Sequence, residues 1–529
     1  MDALTRLTKG FFLVGSAACL GPFAFAQSPN GTQADSNVKL AQSTTSSPAA
    51  NASESPIDLA RALQLAGAQN PELLIARERI TEAMALRQLA AAQILPNINI
   101  GTNFDLHRGP LQQSNGNILD VHRDAMYVGL GANAVAAGSV NIPGVSYNLN
   151  VGTTWFNFMQ SRQVVARFNA AARTAKNDTL LNVCLAYTEL VRAESRRAIL
   201  KQNQADAAEL ARLTEAYAKT GQGRKADADR ALVELRKRDA ELQQVEADAV
   251  AASARLARLL NLQTTLTLKP IDGTAVPATI VPEAMPVADV LATALMQRPE
   301  LEERRAEIRE SIYQLSSARL LPFSPNVIVG FSTGAFGGGS NLISESPGFI
   351  GADGKQQTGP RFGNFNDRID FDAIVYFTFQ NLGVGNVAMA RGAASRVRQS
   401  ELRQQETLNR IRAEVVEIDA RLQAKLKQID LAAKAVESSR EAFTQDMARI
   451  KGRLGLPIEV IDSMRLLARS RLDYLDTIMD YNRLQFQLYV AMGQPPAAAL
   501  SRPAPAEALK GAKPGTPNSL PPTVTPEKK

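Results

Sequence analysis

One passage of this chain is written twice. Asn70 opens NPELLIARERITEAMALRQLAAAQILPNINIG, and Arg298 opens RPELEERRAEIRESIYQLSSARLLPFSPNVIVG. Pro71-Glu72-Leu73 matches Pro299-Glu300-Leu301, and Pro96-Asn97-Ile98 matches Pro325-Asn326-Val327 with one extra residue between. The fold must therefore hold two copies of one unit, residues 57–284 and 285–494.

Each copy reads as helix, strand, long polar loop, strand, then two long helices joined by a Gly-rich turn. Strands are expected at about 97–106 and 147–158 in the first copy, and at 326–332 and 369–380 in the second. The first is two-faced: Ile98, Ile100, Thr102, Phe104 and Leu106 fall on one side, Asn99, Gly101, Asn103 and Asp105 on the other. The fourth puts Phe371, Ala373, Val375, Phe377 and Phe379 opposite Asp370, Asp372, Tyr376, Thr378 and Gln380, with Ile374 as the apolar exception. The polar loops between strands, 108–143 and 333–368, are rich in Gly, Asn and Ser.

The long helices are expected at 162–217, 225–262, 386–450 and 459–492. From Leu408 through Ile411, Val415, Ile418 and Leu422 to Ile450, apolar residues keep a seven-residue rhythm with a missing beat at Lys425, a coiled-coil seam. At about 1.5 Å per residue such a helix reaches roughly 90–100 Å, too long for a compact globule.

The ends of the chain place it outside the cytoplasm. Arg6 and Lys9, an apolar run from Phe11, and Ala24-Phe25-Ala26 before Gln27 make residues 1–26 a secretory signal peptide. Cys19 offers a rival route, lipidation, because GSAAC loosely resembles a lipoprotein cleavage site, although Ser16 stands where Leu is usual. Residues 27–56 and the Pro/Ala-rich tail 495–529 carry too little apolar surface to order themselves. After the signal, Cys184 is alone, at helical spacing between Leu180 and Tyr187, so it is expected to be a small buried residue.

Several function classes fall away. A charge of +7, with Lys and Arg interleaved among Glu and Asp, does not suggest nucleic acid as a partner. Carboxylates lie along solvated helix faces and do not converge in a pocket, so no catalytic residues are expected. His107 and His122 have no ligand set around them, and no phosphate-cradling loop is present, so no metal and no cofactor are expected.

No window is apolar enough for a transmembrane helix, so a membrane would be entered with strands. Apolar on one side and Asn, Asp, Thr, Gln and Gly on the other suits a lipid-facing barrel with a wet lumen. Trp155, Phe156 and Phe158 would supply its aromatic girdle. Four strands cannot close, and an open edge is not tolerated in lipid. Three copies give twelve strands and a common axis, hence a mixed α and β membrane protein that closes as a homotrimer.

The order helix, strand, strand, helix, helix, doubled, with PEL opening each copy, resembles the TolC-type outer-membrane efflux channel family. GQGRKADADRA, Gly221 to Ala231, resembles its first hairpin tip, and EVIDS, Glu459 to Ser463, resembles the DVLDA after its second. LLNL, Leu259 to Leu262, and VAMG, Val490 to Gly493, lie where that family ends its repeats. The resemblance implies a 12-stranded outer-membrane β-barrel continuous with a long periplasmic α-helical barrel, and outer-membrane lipid around the strands. It implies a channel fed by a periplasmic adaptor protein and an inner-membrane pump. A duct for type I protein secretion is a variant of this reading, and a periplasmic coiled-coil scaffold is the alternative that ignores the strands.

The resemblance also assigns sites. Glu459 and Asp462 match the two acids of the second tip motif and Asp227 the acid of the first, which implies an acidic periplasmic gate. Gly221, Gly223 and Arg224 in one tip, and Gly452, Arg453, Gly455 and Pro457 in the other, are the implied adaptor-docking residues. The Tyr and Arg that latch the tips in some relatives have no clear counterpart in the second repeat, where Ile450 and Arg453 stand instead.

Overall fold

In a computed structural model, the residues described are 54–112, 115–132, 142–271, 275–282, 285–340 and 363–496. The expected signal peptide, Cys19, residues 27–53 and most of the tail lie outside them.

The first copy comprises β1 (Glu54–Ile57), α1 (Leu59–Gln69), α2 (Pro71–Ala92), β2 (Asn97–Ile98), β3 (Ile100–Gln112), β4 (Ile118–Ala132), β5 (Ile142–Pro143), β6 (Val145–Asn150), α3 (Val151–Lys219), α4 (Lys225–Leu259) and β7 (Thr267–Pro270). The second comprises α5 (Val287–Gln297), α6 (Pro299–Leu320), β8 (Asn326–Ser340), β9 (Gly363–Tyr376), α7 (Val384–Lys451) and α8 (Pro457–Ala491). The duplicated mixed fold expected from the sequence is the one observed.

The helices form layers whose order follows their contacts. Near the tips, α3 packs on both α4 and α8, and α8 packs on α7; towards the sheet, α3 packs on α2 and α6, and α6 on α7. Two joints connect these levels, and they occupy equivalent places in the repeat. Asn70 caps α2 by accepting from the Glu72 amide at 2.8 Å, while its Nδ2 donates to the Leu259 carbonyl at the end of α4, 2.9 Å away. Arg298 precedes α6 and its Nε donates to the Ala491 carbonyl at the end of α8, 2.6 Å away. The terminal carbonyls of one helix are thus satisfied by the residue that starts the next. Cys184 is buried, as expected, in the core that α1, α3, α4 and α8 share.

Near the second joint, Asp419 of α7 is buried among Val281, Val290, Leu422, Tyr481 and Leu488. Burial pushes its carboxyl above the ordinary range, and a hydrogen bond from Gln423 only partly offsets this. A folded-state pKa raised above the unfolded value means that stability falls as pH rises from the unfolded pKa through the folded one. Asp419→Asn should therefore raise the melting temperature at neutral pH, with the gain shrinking in acid; a gain independent of pH would show that ionisation is not its source.

In the sheet, β2 and β3 follow one another along one edge. They pair with β6 and β4 respectively, and both of these pair with β8, which pairs with β9 at the other edge. β4 and β6 run the same way along one side of β8, β4 beside Thr333–Ser340 and β6 beside Asn326–Phe331, so among the described residues the sheet has four strand positions and two outer edges.

Several expectations about the strands are corrected. The strand placed at 147–158 ends at Asn150, because the Asn150 side chain accepts from the Thr153 amide at 3.0 Å and starts α3 there. The Gly152 amide also donates to Ser324 Oγ at 2.7 Å, a contact 172 residues away in sequence. The strands placed at 97–106 and 326–332 run further, to Gln112 and Ser340, and the fourth is Gly363–Tyr376 where 369–380 was expected. Residues 118–132, assigned to a polar loop, are a strand; Asp120, His122 and Asp124 occupy one of its faces and break the apolar alternation that would have revealed it. Finally, residues 54–56 are not part of a flexible end: β1 pairs in parallel with β7, and Ile57 is buried.

Candidate functional site: the helical tips and the two-faced sheet

Both tips close by the same backbone device. After α3, the amides of Gln222 and Gly223 donate to the Tyr217 carbonyl, each at 2.9 Å. After α7, the Leu454 amide donates to the Arg449 carbonyl at 2.9 Å. Such closure needs one left-handed residue. Gly221 supplies it in the first tip with φ +72, and Arg453 in the second with φ +62. Gly223 and Gly455 lie against the ends of α3 and α7, where an added Cβ would come within 3.0 Å of the Tyr217 and Arg449 Cβ atoms. Gly452 follows α7 as its C-cap residue, Arg224 is the N-cap of α4 and Pro457 is the first residue of α8. The proposed docking residues therefore form two like turns, one per repeat.

The candidate gate acids sit just behind these turns. Asp227 and Glu459 are each the third residue of their helix, and Asp462 lies one turn further along α8. Each has an arginine close by: Asp227 has Arg230 at 3.2 Å, Glu459 has Arg449 at 3.6 Å and Asp462 has Arg465 at 3.8 Å. Glu459 also accepts from the Leu456 amide at 3.3 Å and so caps α8. Among the described residues, no group of His, Cys, Asp and Glu could hold a metal ion.

Sequence reasoning missed the group that ties the tips together. Glu234 of α4 is buried between Arg238, at 2.6 Å, and Arg465 of α8, at 2.7 Å. Burial alone would raise its carboxyl pKa, but the hydrogen bond from Arg465 and the charge of Arg238 outweigh this and hold it below the usual carboxylate range. The i,i+4 spacing of Glu234 and Arg238 was visible in the sequence; the approach of Arg465 was not. Further along α8, on its seam with α3, Arg192 meets Asp480 at 2.7 Å, and Arg196 meets Asp476 at 3.2 Å. At the apex, the Tyr217 hydroxyl donates to the Ile450 carbonyl at 3.3 Å, joining the two turns.

At the other end, strand register gathers one apolar face across all four positions. Ile98 lies beside Val145, Val145 beside Phe331, and Phe331 beside Phe371; Ile100 lies beside Leu130, Leu130 beside Thr333, and Thr333 beside Ile369. Ile98, Ile100, Phe104, Leu106, Ile369 and Phe371 are exposed. The opposite face carries Asn103, Asp105, His107, Ser146, Asn148 and Asp372, and there Arg123 lies 3.7 Å from Asp105. A water-soluble sheet with one solvated face has the reverse arrangement.

The residues expected to form the girdle lie together at the start of α3. Trp155 is exposed, but it lies on the first turns of α3 and not on a strand, while Phe156 and Phe158 are half-buried there.

Solved structures share this architecture. The outer-membrane channel OprN superposes with a TM-score of 0.66 at 18% identity, over 82% of this chain and 89% of that one. The outer membrane protein VceC of Vibrio cholerae gives 0.66 at 15% identity over 82% and 96%, and the Campylobacter jejuni CmeC outer membrane channel gives 0.66 at 14% over 82% and 85%. This chain has the outer-membrane channel fold. No protein-family model matches the sequence, and no curated protein matches it significantly. The two tips join α3 to α4 and α7 to α8, and the two-faced sheet lies at the beginnings of α3 and α7, which is the arrangement implied by the TolC-type resemblance.

Proposed function

We propose that the chain is an outer-membrane duct that works as a homotrimer. Three sheets close into a twelve-stranded barrel, three helical layers close into a periplasmic tube, and small molecules pass through from a periplasmic adaptor and an inner-membrane pump. The observation that carries this reading is the exposed apolar face that spans every strand position, backed by a polar face on the lumen side. Closure by other copies is supported by the edges. Among the described residues, β3 and β9 each have one unpaired side, and α4 and α7, at the edges of the helical layer, expose Val233, Val250, Val416 and Leu431. Docking of the adaptor is assigned to the two tip turns.

The test is single-channel conductance of the purified protein in a planar bilayer, wild type against Glu459→Gln/Asp462→Asn. Wild type should give discrete cation-selective openings blocked by multivalent cations. The double variant leaves Arg449 and Arg465 without these acids, so block should disappear and selectivity should move towards anions. Folded protein that inserts and never conducts would overturn the duct; unchanged selectivity would remove Glu459 and Asp462 from the gate.

A further inference from the structure

The internal duplication supplies a template for a face that the chain leaves bare. α2 and α6 are both helices of 22 residues that begin on the matched Pro71 and Pro299, so Glu82 is the counterpart of Glu310. The two tip turns match Gly221 with Arg453, and the same offset matches Lys219 at the end of α3 with Lys451 at the end of α7. Carried back along the helices without a gap, it makes Ala170, Asn177 and Cys184 the counterparts of Leu402, Asn409 and Val416.

Inside the chain the α3 face is covered. Arg167 pairs with Glu310 of α6 at 3.2 Å and Arg173 pairs with Glu302, and between these two pairs Ala170 and Ala306 are both buried. Asn177 and Cys184 continue the line at heptad spacing and are buried as well. On α7 the same line is open to solvent. Leu402 is 62% exposed and Val416 50%, with Asn409 exposed between them. Within the chain α7 packs on α5, α6 and α8, and none of these covers that line.

α2, the counterpart of α6, is bare in a complementary way. Leu74 and Ile75 stand at the places of Glu302 and Glu303, and both are exposed. Glu78 stands at the place of the buried Ala306, and Glu82 follows it one turn on; both are exposed, and like charges at i,i+4 are unfavourable on their own. Arg398, one turn before Leu402, is also exposed, and among the described residues none of these three charges has an ion pair.

We propose that α2 of a second copy covers this face of α7 in the register that α6 takes on α3. Leu74 and Ile75 then pack on Leu402, and Glu82 comes level with Gln399 and Arg398, with Glu78 one turn away, so that Arg398 meets both carboxylates. The proposal rests on the homotrimer reading above and specifies which faces meet and in what register. The two faces differ, so each copy offers one and receives the other, and repetition closes a ring. The edge continues below α2. Asn70 sets the end of α4 against the start of α2 as Arg298 sets α8 against α6, which puts α4 of the second copy beside Val416.

Glu82→Cys/Gln399→Cys, treated in outer membranes with a short bis-methanethiosulfonate, should give covalent dimers and trimers that neither single variant gives. Cys184 does not interfere, because it is buried and burial pushes its thiol up to about 12. Leu89→Cys/Gln399→Cys, shifted by seven residues or about 10 Å along the helix, should not cross-link. A trimer by sedimentation in detergent that does not cross-link through Glu82→Cys/Gln399→Cys would mean that something else covers the face, and cross-linking through Leu89→Cys would mean another register; either overturns the proposal and leaves the trimer standing. Folded protein that sediments as a monomer would overturn the homotrimer reading and the proposal with it. For the charges, Arg398→Glu should lower the temperature at which the trimer dissociates in detergent, and Glu78→Lys/Glu82→Lys in the same chain should restore it. An unchanged dissociation temperature, or no restoration, would overturn the pairing of Arg398 with these carboxylates.

Discussion

Ile100→Arg is expected to keep the protein out of the membrane, and Asn148→Arg to leave it in. Ile100 is 83% exposed and lies in the apolar row with Leu130, Thr333 and Ile369. An arginine on the lipid face near the bilayer midplane costs about 2–4 kcal/mol per copy, and a trimer meets that cost three times. Asn148 is exposed on the opposite face, beside Ile328 on β8. Arginine there would stand in the aqueous lumen and meet no such penalty. The measurement is the amount of folded, heat-resistant oligomer in the outer-membrane fraction. Equal losses from the two substitutions would mean that the two faces do not meet different solvents.

The second large effect is expected at Arg298. Its side chain is almost fully buried, donates to the Ala491 carbonyl, and pairs with Glu414 of α7 at 2.8 Å and with Glu300 at 3.8 Å. Nearby, burial already pushes the Asp178 carboxyl up; Glu300 adds to this and Arg298 opposes it. Arg298→Ala removes a buried cation that joins α6, α7 and α8, leaving the Ala491 carbonyl unpaired and the half-buried Glu300 and Glu414 without their partner. Breaking a fully buried pair costs on the order of 3–5 kcal/mol, and the partial exposure of Glu300 and Glu414 makes the loss here smaller. The variant should unfold at a lower urea concentration than wild type, and the loss should shrink in acid as Asp178, whose carboxyl burial and Glu300 already push up, takes up a proton. The equivalent Asn70→Ala change removes an uncharged joint and should cost less, because no charge is left behind.

Much of this fold could be read before it was seen. The repeat marked both joints, because PEL follows Asn70 in one copy and Arg298 in the other. Local turn chemistry marked the tips: Gly221, Gly223, Gly455 and Pro457 are residues that a tight helical hairpin requires. Strict alternation marked the strand from Ile98 to Leu106. Residues 118–132 escaped because Asp120, His122 and Asp124 share a face with Met126, Val128 and Leu130, so no period-two contrast remains.

Glycine spacing also had no readable meaning in one dimension. Gly334 is required because a Cβ there would lie 2.5 Å from the Val128 carbonyl oxygen and 2.8 Å from the Tyr127 ring, on a strand more than two hundred residues away. The start of α3 was misplaced because aromatic and β-branched residues from Val151 to Phe158 favour a strand locally. The helix instead begins where Asn150 caps it and Ser324, from the other repeat, takes the Gly152 amide. The candidate gate acids were legible as residue types at given spacings, and Arg465 as the i+3 neighbour of Asp462, but the approach of Arg449 to Glu459 was not legible.

The sequence by itself determined the duplication, the long helices, the tip turns and the two-faced character of the strands. Each of these follows from periodicity or from local backbone chemistry within a few residues. Only the tertiary structure decided where strand passes into helix, how Glu234 is neutralised, and which apolar residues remain uncovered. Those outcomes depend on groups brought together from different repeats, and their energies arise from desolvation and close contact, which no local pattern in the chain encodes.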